Sequence, residues 1–219
     1  MRPALTKTYL AVLVLLGAAL AVPSPAETVS VAGSGPLAAK DASDVVRKAV
    51  GESGYRVTLD YGWTADFWFA RELRTSAAAN AGALYPQLAN GEFVGVVSFP
   101  KGSSDFRGQA IPAGLYTLRY QYIPQDANHM GVSPNPDFLL AVPIAFDDNP
   151  KQTLTFERLV RLSAKTTGTA HPAVIALAPP AAPSLTKDDQ HMTIFSVPLT
   201  TDSGKTLNLG IILRGQANQ

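Results

Sequence analysis

The chain has 219 residues, of which 46% are hydrophobic and 16% charged, against roughly 25% charged in an average soluble domain. Eighteen basic and 17 acidic side chains give a formal net charge of +1, which excludes a nucleic-acid binder working through a broad basic field and a charge-extended disordered chain. There is no cysteine, so disulfide frameworks, thiolate metal sites, cysteine nucleophiles and iron–sulfur clusters are excluded too.

Arg2 and Lys7 precede an apolar run from Tyr9 to Val22, and Ser24-Pro25-Ala26 sets small residues where a signal peptidase reads. As a helix this run extends about 21 Å at ~1.5 Å per residue, short of the ~30 Å hydrocarbon core of a bilayer. A signal peptide over residues 1–26 is therefore expected rather than an anchor, with the mature protein exported to the periplasm or the extracellular space. No stable membrane span is expected after cleavage. Loss of two basic side chains would leave 193 residues at a formal charge of −1. That length supports one substantial core, and that charge gives no long-range preference for a polymer or lipid surface.

Residues 27–40 read as a loose lead-in with at most one short strand, followed by a single domain over 41–219. Asp41 to Val50 is a helix candidate, capped by Asp41 or Ser43 and stopped by Gly51. Tyr55, Val57, Leu59 and Tyr61 alternate with polar residues, the period-two pattern of a half-buried strand, and Phe67-Trp68-Phe69 continues it. Between Ser76 and Ala83 the alanine-rich stretch fits a loop or a short helix equally well. Strands are predicted at Phe93–Phe99, Leu115–Ile123 and Phe138–Phe146, the last at a sheet edge or bulged because it contains Pro143. Thr155 to Lys165 has a helical pattern with Thr155 as cap and Phe156, Leu159, Val160 and Ala164 on one side. Further strands are predicted at Ala173–Ala178, Met192–Leu199 and Thr206–Arg214, the last two joined by a hairpin turn at Asp202-Ser203-Gly204-Lys205. The expected fold is mainly β: a single antiparallel β-sandwich, or distorted barrel, of seven to nine strands with one or two short helices.

The segment Phe106-Arg-Gly-Gln-Ala-Ile-Pro-Ala-Gly-Leu-Tyr-Thr-Leu118 resembles a phrase found in uncharacterised bacterial secreted β-sandwich domains. More loosely, it is similar to one in carboxypeptidase-regulatory-like and transthyretin-like modules. The resemblance covers about a tenth of the chain and implies architecture alone. A turn fixed by Pro112, with Gly114 supplying a positive φ, would lead into a strand on which Tyr116 and Leu118 share one face.

Candidate chemistry concentrates in few places. Asp126, Asn128, Gly131 and Asp137 fall at calcium-loop offsets, although Met130 and Pro134 occupy two further ligand positions and the twelfth residue is Asp rather than Glu. Asp126, Asn128 and Asp137 are the candidate metal ligands, for calcium or, with histidine, zinc. The histidines His129, His171 and His191 form no local zinc pair, and HExxH is absent. No G-x-S-x-G elbow and no phosphate-cradling glycine loop occurs, and no carboxylate spacing singles out a glycosidase pair. No catalytic residue is assigned. The aromatic cluster Tyr61–Phe69 supplies Trp63 and Trp68 as candidate ligand-binding residues beside the three histidines, with Phe67 and Phe69 expected on one strand face and Trp68 on the other. The resulting expectation is a non-catalytic binding or accessory module of the cell envelope, with a small molecule, a carbohydrate or an envelope protein as partner and no nucleic acid. The alternatives are a metal-dependent or hydrolase-like enzyme using His129, Asp137, His171 and His191, and an envelope assembly protein.

Overall fold

The computed structural model describes residues 29–38, 42–76, 82–123 and 133–214, with Tyr61 described by its backbone alone. The expected leader at 1–26, the Asp41 cap, most of the alanine-rich stretch and the loop residues Asp126, Asn128 and His129 lie outside the described residues.

Twelve strands are formed among the described residues: β1 (Ser30–Ser34), β2 (Gly54–Leu59), β3 (Trp63–Phe69), β4 (Phe93–Phe99), β5 (Ser103–Ser104), β6 (Ala110–Ile111), β7 (Gly114–Tyr122), β8 (Asp137–Pro143), β9 (Ala173–Ala178), β10 (Ser184–Lys187), β11 (Thr193–Thr200) and β12 (Thr206–Arg214). Helix α1 (Asp44–Ala49) is capped by Ser43, and α2 (Phe156–Thr167) by Thr155, each hydroxyl accepting the N–H three residues on. Ten strands make one antiparallel sheet in the order β1-β2-β3-β4-β7-β8-β9-β12-β11-β10, and β5 pairs with β6 in a small ribbon. No helix among the described residues is long and apolar enough to cross a membrane.

This sheet curls into a nearly closed barrel, in line with the barrel alternative, and corrects the expectation of a sandwich and of seven to nine strands. The reason is packing between distant members of the strand order. Tyr55 on β2 and Phe67 and Phe69 on β3 meet Phe195 on β11 at centroid distances of 5.7, 5.8 and 6.3 Å. One face of one sheet therefore wraps a single core instead of two sheets facing each other. At one end Leu73 N–H donates to Thr200 O and Asp202 N–H to Leu73 O, both at 2.9 Å. At the other end Lys187 Nζ reaches Asp60 Oδ2 at 3.5 Å. The extra strands β5, β6 and β10 have only two to four residues each, so they carry no alternation to read.

Three further expectations change. Pro143 does not mark an edge: β8 lies between β7 and β9, and Pro143 is its last residue. Gly114 is not in the left-handed region; its small size matters instead, because a Cβ there would stand 3.3 Å from the Tyr116 hydroxyl, which donates to Pro112 O at 2.7 Å. Helix α2 buries Leu159, Ser163 and Thr166, whereas Phe156 is exposed. Ser163 Oγ and Thr166 Oγ1 both donate to Ala141 O, at 2.8 and 2.9 Å, so hydroxyl-to-backbone bonds dock the helix on β8.

Alternation sorts the walls. Tyr116, Leu118 and Tyr120 of β7, Leu139 and Ala141 of β8, and Leu207, Leu209 and Ile211 of β12 fill the barrel, while Phe138, Leu140 and Val142 of β8 face α2. The end where β7 finishes is stoppered by segment 82–91. Leu84 and Tyr85 donate their N–H groups to the Asp137 carboxylate at 2.7 and 2.9 Å, and Tyr85 and Leu88 are wholly buried. The opposite end, where β3 begins and β12 finishes, carries the cleft described next.

Candidate functional site

Strands β9 and β12 are neighbours through only two residue pairs, Ala178–Gly210 and Leu177–Ile211. At the stoppered end the Tyr85 hydroxyl donates to Ala178 O at 2.7 Å and accepts from Gly210 N–H at 2.8 Å, completing the backbone bonding there. Toward the other end β9 turns to a different partner. Phe106 N–H donates to Val174 O at 3.0 Å, and Val174 N–H donates to Asp105 Oδ2 at 3.3 Å. The two strands splay, and the gap is a cleft of about 600 Å³ running into the barrel mouth.

Its walls are mostly apolar, with Trp63, Phe67, Phe99, Phe106, Ile175 and Ile212 interrupted by the polar run Ser103-Ser104-Asp105. Trp63 opens β3 directly after the turn Asp60–Gly62, where Gly62 has φ 71°. The Trp63 ring lies 6.2 Å from Phe99, and its indole N–H donates to Ser103 Oγ at 3.3 Å, which fixes a half-buried side chain in the lining of the cleft. A buried aromatic floor with a polar lip is the usual composition of a small-molecule site.

The lip carries Gln190, His191 and Arg214. His191 has φ 61°, the only non-glycine residue in the left-handed region among those described. Asp188 sustains that strained backbone: its Oδ1 accepts from Gln190 N–H and Met192 N–H at 3.0 and 2.8 Å, and its carbonyl accepts from His191 N–H at 3.0 Å. The His191 ring has no hydrogen-bond partner among the described residues. Arg214, at the end of β12, has Nη1 3.9 Å from Asp60 Oδ2 and a side chain 44% exposed. Asp60 is buried beneath it, with Oδ1 lacking any partner in the described structure.

Two of the residues singled out from the sequence, Trp63 and His191, thus line one cleft. The others that are described stand elsewhere. Trp68, on the outer face of β3, is covered by the segment before α1 and donates its indole N–H to Gly35 O at 2.9 Å. Phe67 and Phe69 take the inner face, as their alternation predicts. His171 is exposed in the turn after α2, its carbonyl accepting from Thr167 Oγ1 at 2.7 Å. Asp137 is wholly buried at the stoppered end, where Tyr120 Oη donates to it at 2.7 Å beside the two backbone N–H groups. Among the described residues no three His, Asp or Glu side chains come together.

Phe99, Phe106, Asp60 and Arg214 were not legible as site residues. Each reads as an ordinary core or strand-end residue, and only closure of the sheet assembles them. Chemically the cleft offers stacking surface, hydrogen-bonding side chains and one guanidinium. The carboxylate nearest its wall is filled from within the chain: Asp105 accepts from Arg107 N–H, Gln109 N–H, Gln109 Nε2 and Val174 N–H. No protein-family model, no curated protein and no solved structure matches this chain.

Proposed function

We propose that the protein is a non-catalytic binding module, exported to the periplasm or beyond, that takes a small ligand into the open mouth of its barrel. The observation carrying this reading is the cleft itself: aromatic-walled, about 600 Å³, within the ~300–1,000 Å³ range of small-molecule sites, and set at one end of a barrel whose other end is stoppered. The lining favours holding over transformation. Among the described residues His191 has no carboxylate partner to orient it, and Asp105 has its oxygens occupied. The leader-like segment Arg2–Ala26 supports export.

The chain has two tryptophans, so an amide correlation spectrum has two indole signals, and these report separately on the cleft and on the outer wall. Titration with the neutral apolar probe N-phenyl-1-naphthylamine is expected to move the Trp63 indole and leave that of Trp68 in place. A Trp63 signal left unmoved both by this probe and by its sulfonated counterpart 8-anilinonaphthalene-1-sulfonate overturns the reading. For export, mass spectrometry of the protein from fractionated cells is expected to give a chain beginning at Glu27, outside the cytoplasm.

A further inference from the structure

We infer that the ligand of this cleft is an amphipathic anion: a ring-sized or branched apolar body carrying one carboxylate, sulfonate or similar acidic group, with that group against Arg214. The inference rests on the binding role proposed above and adds the chemical class.

The argument is an inventory of charge at the mouth. Four carboxylates lie at or near it, and the one that lines the cleft, Asp105, is closed to a cationic ligand. Asp105 is 2% exposed and accepts four hydrogen bonds. Asp188 Oδ1 accepts two backbone N–H groups of its own turn, and the exposed Asp189 beside it does not line the cleft. Asp60 is 8% exposed and faces both Lys187 and Arg214. The guanidinium of Arg214 is different. It lines the cleft, is nearly half exposed, and its link to Asp60 at 3.9 Å is longer than any hydrogen bond. An anion entering the cleft offers Arg214 a charge-assisted bond of ordinary length, about 2.8 Å, while Asp60 retains Lys187. A neutral ligand leaves the guanidinium partly desolvated with nothing gained, and a cation meets like charge. The aromatic walls then set the other requirement. Trp63, Phe99 and Phe106 supply flat faces but few polar atoms, so the remainder of the ligand is apolar. His191 and Gln190 on the lip line the same cleft as Arg214 and offer further hydrogen-bonding groups.

The test uses two probes that share an apolar body and differ in one group: 8-anilinonaphthalene-1-sulfonate and N-phenyl-1-naphthylamine. They are titrated into the wild type, Arg214→Gln, and the charge control Arg161→Gln on the exposed face of α2, with the Trp63 indole signal locating the binding. The sulfonate probe is expected to bind the wild type and R161Q at least roughly tenfold more tightly than the neutral one, and R214Q is expected to erase that preference while keeping the neutral probe's affinity. The advantage should shrink as salt is added. Equal binding of both probes at Trp63, or a sulfonate preference that survives R214Q, overturns the anion assignment and leaves the binding role intact. Failure of both probes to move the Trp63 signal overturns the binding role with it.

Discussion

Arg119 and Asp147 form a bidentate pair wholly out of solvent, with Nε 2.8 Å from Oδ2 and Nη2 2.6 Å from Oδ1. Arg119 stands on the outward face of β7, and its remaining donors reach the carbonyls of Gly91, Asn149, Pro150 and Gln152 at 2.9–3.3 Å. Thr117 Oγ1 adds a 2.6 Å bond to Asp147. One side chain thereby fastens segment 147–152 to the barrel wall. Removing one partner leaves a buried charge, so Arg119→Met is expected to cost about 3–5 kcal/mol in urea unfolding. The double variant Arg119→Met/Asp147→Leu is expected to recover part of that loss. A cost below ~1 kcal/mol for the single change, the scale of an exposed pair, would show that the pair behaves as a surface ion pair.

Tyr85 bridges the short β9–β12 ladder, and burial, reinforced by the charge of Asp137, pushes its hydroxyl up to about 12 from the ordinary 10, although the Gly210 N–H opposes the shift. Because the folded state holds the proton more tightly, the contribution is fully present below pH 10 and is lost as pH rises from 10 toward 12. The predicted loss over that window is about 2–3 kcal/mol. Tyr85→Phe should remove this part of the pH dependence, and at neutral pH it should cost about 1–3 kcal/mol for the unmet Gly210 N–H and Ala178 O. Unfolding free energies of both proteins across pH 8–12 check the point; parallel curves would contradict it.

Gly95 occupies the bulge where β4 slips register against β7. A Cβ there would lie 2.4 Å from Trp68 O and 2.9 Å from Phe69 Cα, both rigid backbone of the neighbouring strand. Gly95→Ala is expected to destabilise by roughly 1–3 kcal/mol by overpacking. A thermal unfolding midpoint unchanged from wild type would be incompatible with so close an approach.

Asp202, in the β11–β12 turn, accepts from Thr75 Oγ1 at 2.7 Å and Thr75 N–H at 3.1 Å, and these bonds hold its carboxyl below the ordinary carboxylate range. The depressed value means that its support for the Leu73–Thr201 closure is present above the ordinary carboxylate pKa and is lost as pH falls through the folded-state value. Replacing the hydroxyl, Thr75→Val, is expected to move the Asp202 titration back toward 3.8 in a carbon-13 NMR experiment. No movement would mean that the hydroxyl bond is not what lowers it.

Parts of this architecture are written locally. The predicted bounds of β4, β9 and β12 coincide with those observed, because an apolar run between turn residues needs no knowledge of its partner. Ser43 and Thr155 cap their helices for a reason contained in three or four residues. Strand β10 follows a proline cluster with only four residues, Ser184–Lys187, and gains its meaning from pairing with β11. Asp137 was read as a loop ligand from its offset to Asp126, yet a one-residue difference in where β8 begins turns it into the barrel, where Tyr85 and Tyr120 meet it.

The amino-acid order alone determined that the chain is β-rich, that it is free of cysteine, and which side of each strand is apolar, since alternation, turn residues and caps act over a few positions. Only the tertiary structure decided that one sheet closes on itself, that β9 and β12 part to open a cleft, and that Trp63, His191 and Arg214 share it. Those outcomes depend on contacts between residues far apart in sequence, chiefly Phe195 against Phe67 and Phe69 and the Tyr85 hydroxyl between Ala178 and Gly210. A short-range pattern records how much surface each residue must bury and carries no trace of which distant strand will bury it.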